Sequence, residues 1–148
     1  MVEDVNVVSA QGPDLRIASA GVLGPPTIGV TVYITALVQN TGPISTGTWF
    51  FLDAYIDSAT PPAPRAAGPY YAIVPALPEG ASLLVTVTVP ALSEGTHTFY
   101  LQAATYVPGE GNDPSFGRVA ETNEENNIGG AYTFTVGLIK VYLPIVMR

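Results

Sequence analysis

The chain contains no cysteine, which removes both a disulfide frame and a thiolate metal site. Cationic residues are scarce as well: five Lys plus Arg stand against 12 Asp plus Glu, a formal net charge of −7. Such a balance repels a phosphate backbone, so nucleic acid is excluded as a partner. No stretch approaches the ~20 consecutive apolar residues that a spanning helix requires, so no membrane span is expected. The opening Met1-Val-Glu-Asp is acidic and lacks the basic and apolar regions of a signal peptide. On that ground the protein is either cytoplasmic or has had an export signal trimmed. Helical spacing of apolar residues is missing too, and the nearest candidate, 119–127, has no apolar face to pack.

Turns and apolar runs fill the space. Hydrophobic residues make up 47% and charged ones only 11% of 148 residues, which argues against disorder and for one folded domain. The 14 Pro and 15 Gly require frequent corners. Between those corners lie seven apolar runs: Asp14 to Val22, Gly29 to Gln39, Gly47 to Asp57, Tyr70 to Val74, Ser82 to Val89, Gly95 to Tyr106 and Ala131 to Val136. The pattern predicts an all-β, immunoglobulin-like antiparallel sandwich of about seven strands. Residues 1–12 read as a lead-in, 13–137 as the domain and 138–148 as an apolar tail or extra strand.

Period-two alternation assigns the faces. Val30, Val32, Ile34, Ala36 and Val38 share one side of the second run. Phe50, Leu52, Ala54 and Ile56 join them, as do Leu83, Val85, Val87 and Val89, then Phe99, Leu101 and Ala103, then Tyr132, Phe134 and Val136. These five sets are the expected core. Two connections are long. Residues 57–69 carry four prolines, cannot form a central strand, and are expected to wrap a sheet edge. Residues 108–127 hold five of the 12 acidic residues.

Six short elements in order resemble one family. They are Pro13-Asp14-Leu15, Asn40-Thr41-Gly42, Asp57, Pro75-x-Leu77-x-x-Gly80, Gly95, and the string Glu121-x-Asn123-Glu124-x-Asn126-Asn127. Together they resemble the CARDB family, a cell-adhesion-related bacterial domain with an immunoglobulin-like fold. The resemblance spans about Pro13 to Val136 and implies a non-enzymatic module, extracellular or at the cell surface. The Pro-rich insertion at 58–69 and the long approach 107–117 depart from the pattern.

The run Val119-Ala-Glu-Thr-Asn-Glu-Glu-Asn-Asn127 admits two readings. Asn side chains bond their own backbone two residues on and stabilise tight turns, leaving Glu124 and Glu125 solvated. Alternatively, carboxylates, carboxamides and peptide carbonyls supply the oxygens that Ca²⁺ takes. Asp113, Glu121, Asn123, Glu124 and Asn126 are then the ligands, although no EF-hand spacing is present.

Catalytic residues are not expected. His97 is the single imidazole, it alternates with Phe99 and Leu101 toward the core's rim, and no Gly-x-Ser-x-Gly elbow accompanies Ser93. Asp53 and Asp57 share a strand face and are expected at the surface near a sheet end. If Phe50 and Leu52 face inward, then Trp49, Phe51, Tyr55 and Tyr100 face outward. That aromatic surface suits packing by the 58–69 arm, a carbohydrate platform or a protein interface. The tail offers Leu138, Val141, Leu143, Ile145 and Met147 as anchors, either for pairing within the chain or for strand addition to a neighbour's sheet edge. The function class is therefore an adhesion or structural module with protein partners, a homo-oligomer or a surface-protein neighbour. The alternative is a carbohydrate-binding or enzyme-associated accessory domain.

Overall fold

The computed structural model describes residues 11–109 and 112–146, so most of the lead-in lies outside the described residues. Seven strands follow in order: β1 Leu15–Val22, β2 Val32–Asn40, β3 Phe50–Ile56, β4 Tyr70–Val74, β5 Ser82–Val89, β6 Gly95–Ala103 and β7 Ile128–Val136. They form two antiparallel sheets, β1-β2-β5 and β4-β3-β6-β7. No helix occurs among the described residues.

The alternation explains the layering. In β2 the side chains of Val32, Ile34, Ala36 and Val38 are buried, and each faces an inward partner on β5, as in Ile34 opposite Val87 and Val32 opposite Val89. From the other sheet come Phe50, Leu52, Ala54, Phe99, Leu101, Ala103, Phe134 and Val136, all in the same core cluster. A one-residue slip in either sheet would expose these sets together, so the pattern also sets the register.

Several expectations need correction. Val30 is 50% exposed because the second strand starts only at Val32, leaving residues 29–31 outside the pleat that would aim them inward. Ile56 and Leu83 are only half-buried at strand ends. The last strand begins at Ile128 rather than Ala131. It starts early because Ile128 and Gly129 already pair with Gln102 and Leu101 of β6, and Gly129 lies close against Ile17 of β1, where an added Cβ would come within 2.9 Å of the Ile17 Cβ. Leu15, Val74, Leu77, Ala104 and Val119 complete the core from strand ends and connections.

Ile34→Ala is expected to lower unfolding free energy by about 2–5 kcal/mol, as a fully enclosed truncation leaves a cavity. Val30→Ala should change it by no more than about 0.5 kcal/mol. Urea denaturation of both variants checks the pair.

Candidate functional site

Where β1 begins, the acidic connection folds back upon it. The Glu121 carboxylate accepts the Leu15 N–H through Oε2 at 2.7 Å and the Asn127 amide through Oε1 at 3.1 Å. Asn126 Nδ2 donates to Asp14 Oδ1 at 2.8 Å, and the Thr122 N–H donates to the Pro13 carbonyl at 2.9 Å. Within the turn, Glu124 Oε1 accepts the Glu121 N–H, and Asn123 Oδ1 accepts the Glu125 N–H. Glu124 is thus half-buried rather than solvated, which corrects the plain-turn expectation, while Glu125 is exposed.

Electrostatics there are unbalanced. Burial foremost, with the Glu124 and Asp14 charges adding, pushes the Glu121 carboxyl up to about 8 against the pull of its two donors. Burial also raises Glu124. At Asp14 burial works the same way, yet bonds from Asn126, Thr41 and Arg16 outweigh it and hold that carboxyl low.

Of the sequence-derived ligand set, Glu121, Glu124 and Asn126 meet here. Asn123 is occupied in its own turn, and Asp113 bonds Ser115 and Gly117 inside a separate loop. Among the described residues no three His, Cys, Asp or Glu side chains converge to hold a metal ion. Asp14 and Asn127 are the partners that sequence spacing did not supply.

Asn40 anchors the same pole. Fully buried, it accepts from the Asp14 and Gly42 N–H groups and donates to the carbonyls of Ile44, Leu77 and Pro78. Only glycine fits at position 42, since a Cβ there would lie 2.3 Å from the Gly12 carbonyl oxygen.

The outer aromatic face is covered. Trp49, Phe51, Tyr55 and Tyr100 point away from the core cluster as expected, but Phe51 is only 7% exposed and the other three are half-buried. The proline arm accounts for Tyr55 and lies beside Phe51. Tyr55 donates its hydroxyl to the Ala66 carbonyl, the Gln102 amide donates to Tyr55 Oη, and the Arg65 N–H donates to Gln102 Oε1 at 2.7 Å. Arg118 stands 3.6 Å over the Trp49 ring.

Asp53, expected at the surface, is buried by the same arm. Its carboxylate accepts from the Gly68 N–H at 2.5 Å and the Thr105 hydroxyl at 2.9 Å, and burial raises its pKa. A cavity of about 260 Å³ remains beside it, walled by Phe51, Tyr71, Gly68 and Val107.

His97 has an orienting carboxylate: Asp57 Oδ2 lies 2.7 Å from Nδ1. Its Nε2, however, lies 2.8 Å from the Ser93 carbonyl and not from the hydroxyl. Both partners accept, so both ring nitrogens donate and no lone pair is left for a general base. The Ser93 carbonyl and then Asp57 raise the imidazole pKa. The ring also stacks on Phe134 at 5.6 Å. The group ties β6 to the end of β3.

The tail leaves the sandwich unpaired. Its last contact is at Gly137, which exchanges backbone bonds with Pro26 and Ile28 in a parallel bridge. Residues 138–146 form no strand with the rest of the chain. Leu138, Ile139, Val141, Tyr142, Leu143, Ile145 and Val146 are 60–89% exposed. Met147 lies outside the described residues.

No family model and no curated protein matches the sequence. Solved structures do. The CARDB domain of the PF1109 protein from Pyrococcus furiosus, crystallised in complex with di-metal ions, superposes with a TM-score of 0.56 at 19% identity, covering 89% of this chain and 100% of that one. This chain has the CARDB fold. The solution structure of the same domain agrees, with a TM-score of 0.51 at 21% identity over 88% of this chain and 98% of that one. A β-glucosidase from Listeria innocua matches at a TM-score of 0.44 and 14% identity, over 84% of this chain and 16% of that one.

His97 couples stability to pH through Asp57. Because its folded pKa is raised, the stabilisation from its bond to Asp57 is fully present below about 6.5 and is lost as pH rises through the folded value. The stability difference between wild type and Asp57→Asn, less than about 1 kcal/mol for a half-exposed partner, should therefore shrink toward alkaline pH. Urea denaturation of both proteins across that range checks it.

Proposed function

We propose that this chain is an extracellular adhesion-related module that associates with copies of itself by lending its C-terminal segment to a neighbour's sheet edge. The observation that carries the reading is the tail: seven large apolar side chains in nine residues stand in solvent with their backbone unpaired. Apolar stretches of that kind mark contacts, and an extended segment gains main-chain bonds by joining an open edge. Likeness to CARDB domains supports the adhesion class.

Alternation selects the anchors. Ile139, Val141, Leu143 and Ile145 fall on one face of an extended tail, while Leu138 falls on the other with Lys140 and Tyr142. Leu138 therefore does not act with the other anchors.

The acceptor that fits is β4. It is an edge strand of five residues, and its outward Tyr71 and Ile73 are 60% and 59% exposed. Residues 138–143 precede Pro144, which cannot donate to a ladder, so the uninterrupted part of the tail matches the length of that edge. A carbohydrate platform is less favoured, since Arg118 occupies the face of Trp49.

Light-scattering mass measurements decide. The full chain should run larger than a monomer, the chain ending at Gly137 should be monomeric, and Leu143→Asp or Ile73→Lys should weaken association at least tenfold. A monomeric full chain, or assembly that survives the truncation, sinks the reading.

A further inference from the structure

The described residues contain four buried side-chain polar atoms without a hydrogen-bond partner: Asn112 Oδ1, Glu124 Oε2, Asn126 Oδ1 and Asn127 Oδ1. All four are acceptor oxygens, and all four lie on the β6–β7 connection. Three belong to the acidic turn. Asn127 is only 1% exposed, so its carbonyl oxygen is shut away from bulk solvent. An unmet buried acceptor is costly, and more so beside like charge.

The surroundings specify what would satisfy them. The amide of Asn126 is bonded to the Asp14 carboxylate and that of Asn127 to the Glu121 carboxylate. Each unpaired carboxamide oxygen therefore sits on a group already held against an acid. Glu124 brings a third carboxylate, with one oxygen bonded to the Glu121 N–H and the other unpartnered. Arg16 reaches Asp14 at 3.1 Å, and Arg65 acts on Glu124 only at longer range. The deficit is one of positive charge and of donors, among oxygens alone.

We propose that this turn binds a divalent calcium ion, with Glu124 and the carboxamide oxygens of Asn126 and Asn127 as side-chain ligands, and with Asp14 supplying negative charge beside it. Ca²⁺ accepts carboxylate, carboxamide and peptide oxygens in irregular sets of about 6–8, water included, so a site need not gather three acidic side chains. Mg²⁺ requires near-octahedral geometry and gives up water reluctantly, so it fits such a set poorly. The ion would clasp the β6–β7 connection to the start of β1.

The test uses the full chain. With CaCl2 in the millimolar range, the melting temperature should rise saturably and fall back on adding EGTA, while MgCl2 at equal concentration should not reproduce the rise. Isothermal titration should show a single class of site, weakened at least tenfold in Glu124→Gln. Should Glu124→Gln fail to fold, Asn126→Ala, at a half-buried position, gives the same reading. Equal melting temperatures in calcium and EGTA would mean that water alone satisfies these oxygens. An equal response to magnesium would mean simple screening of acidic charge. Unchanged affinity in both variants would place the ion elsewhere. Each of these results overturns the proposal.

Discussion

The bond from the Leu15 amide to the Glu121 carboxylate closes the sandwich at the pole where β1 begins. β1 lies at the edge of its sheet, with β2 on one side and, among the described residues, no strand on the other. Leu15 is nonetheless fully buried, and an unpaired amide beside it would be expensive. Glu121 meets that need from 106 residues away, and Asn127 holds Glu121 in place while bonding the Ala103 carbonyl. One carboxylate thereby joins the first strand to the end of β6 and the beginning of β7. The long connection between them is kept short in space because Gly117 lets its backbone reach Ala104, where a Cβ would lie 2.1 Å from the carbonyl oxygen.

The strands were legible because their inward faces repeat at period two with branched and aromatic side chains. β4 and β5 fall on the expected residues, and β1, β2, β3 and β6 differ at their ends. Parity, however, tells which sheet face a side chain takes and not whether that face is wet. Phe51, Asp53 and Tyr55 take the outer face as expected, but the arm folds over them, and the arm's position depends on bonds between Arg65 and Gln102, Tyr106 and Pro114 on distant parts of the chain. Nothing local to residues 51–55 announces those partners. The acidic turn divides likewise. Its self-bonding Asn residues could be read from composition, whereas the Glu124 bond and the dependence on Asp14 and Leu15, which spans more than a hundred residues, have no local signal.

Buried polar groups in this chain serve as ties between elements. Asn40 gathers the Asp14 amide, the segment after β2 and the carbonyls of residues 77 and 78. Asp53 takes the arm at Gly68 and the end of β6 at Thr105. His97 takes the end of β3 at Asp57. Each is a place where the apolar layer ends and a connection must be held, and a directional bond there fixes geometry that hydrophobic contact alone leaves loose. Without cysteine, the chain has no covalent substitute.

The acidic turn and the departing tail occupy opposite poles. β7 runs from Ile128, beside the acidic turn, to Val136, where Gly137 bridges to Thr27 and the tail departs. A donor segment leaving one pole and an acceptor edge on the flank are different surfaces. A contact between them is therefore heterologous, and the symmetry of a two-fold dimer does not apply. Such contacts close into a ring only when the rotation per copy divides a full turn, and otherwise propagate as a filament. The short bridge at Gly137 is the joint from which the proposed donor segment departs. Because it consists of two backbone bonds ahead of an otherwise unpaired segment, in the proposed assembly the angle between copies would be governed by how residues 138–143 seat on the neighbour and hardly by the domain that carries them.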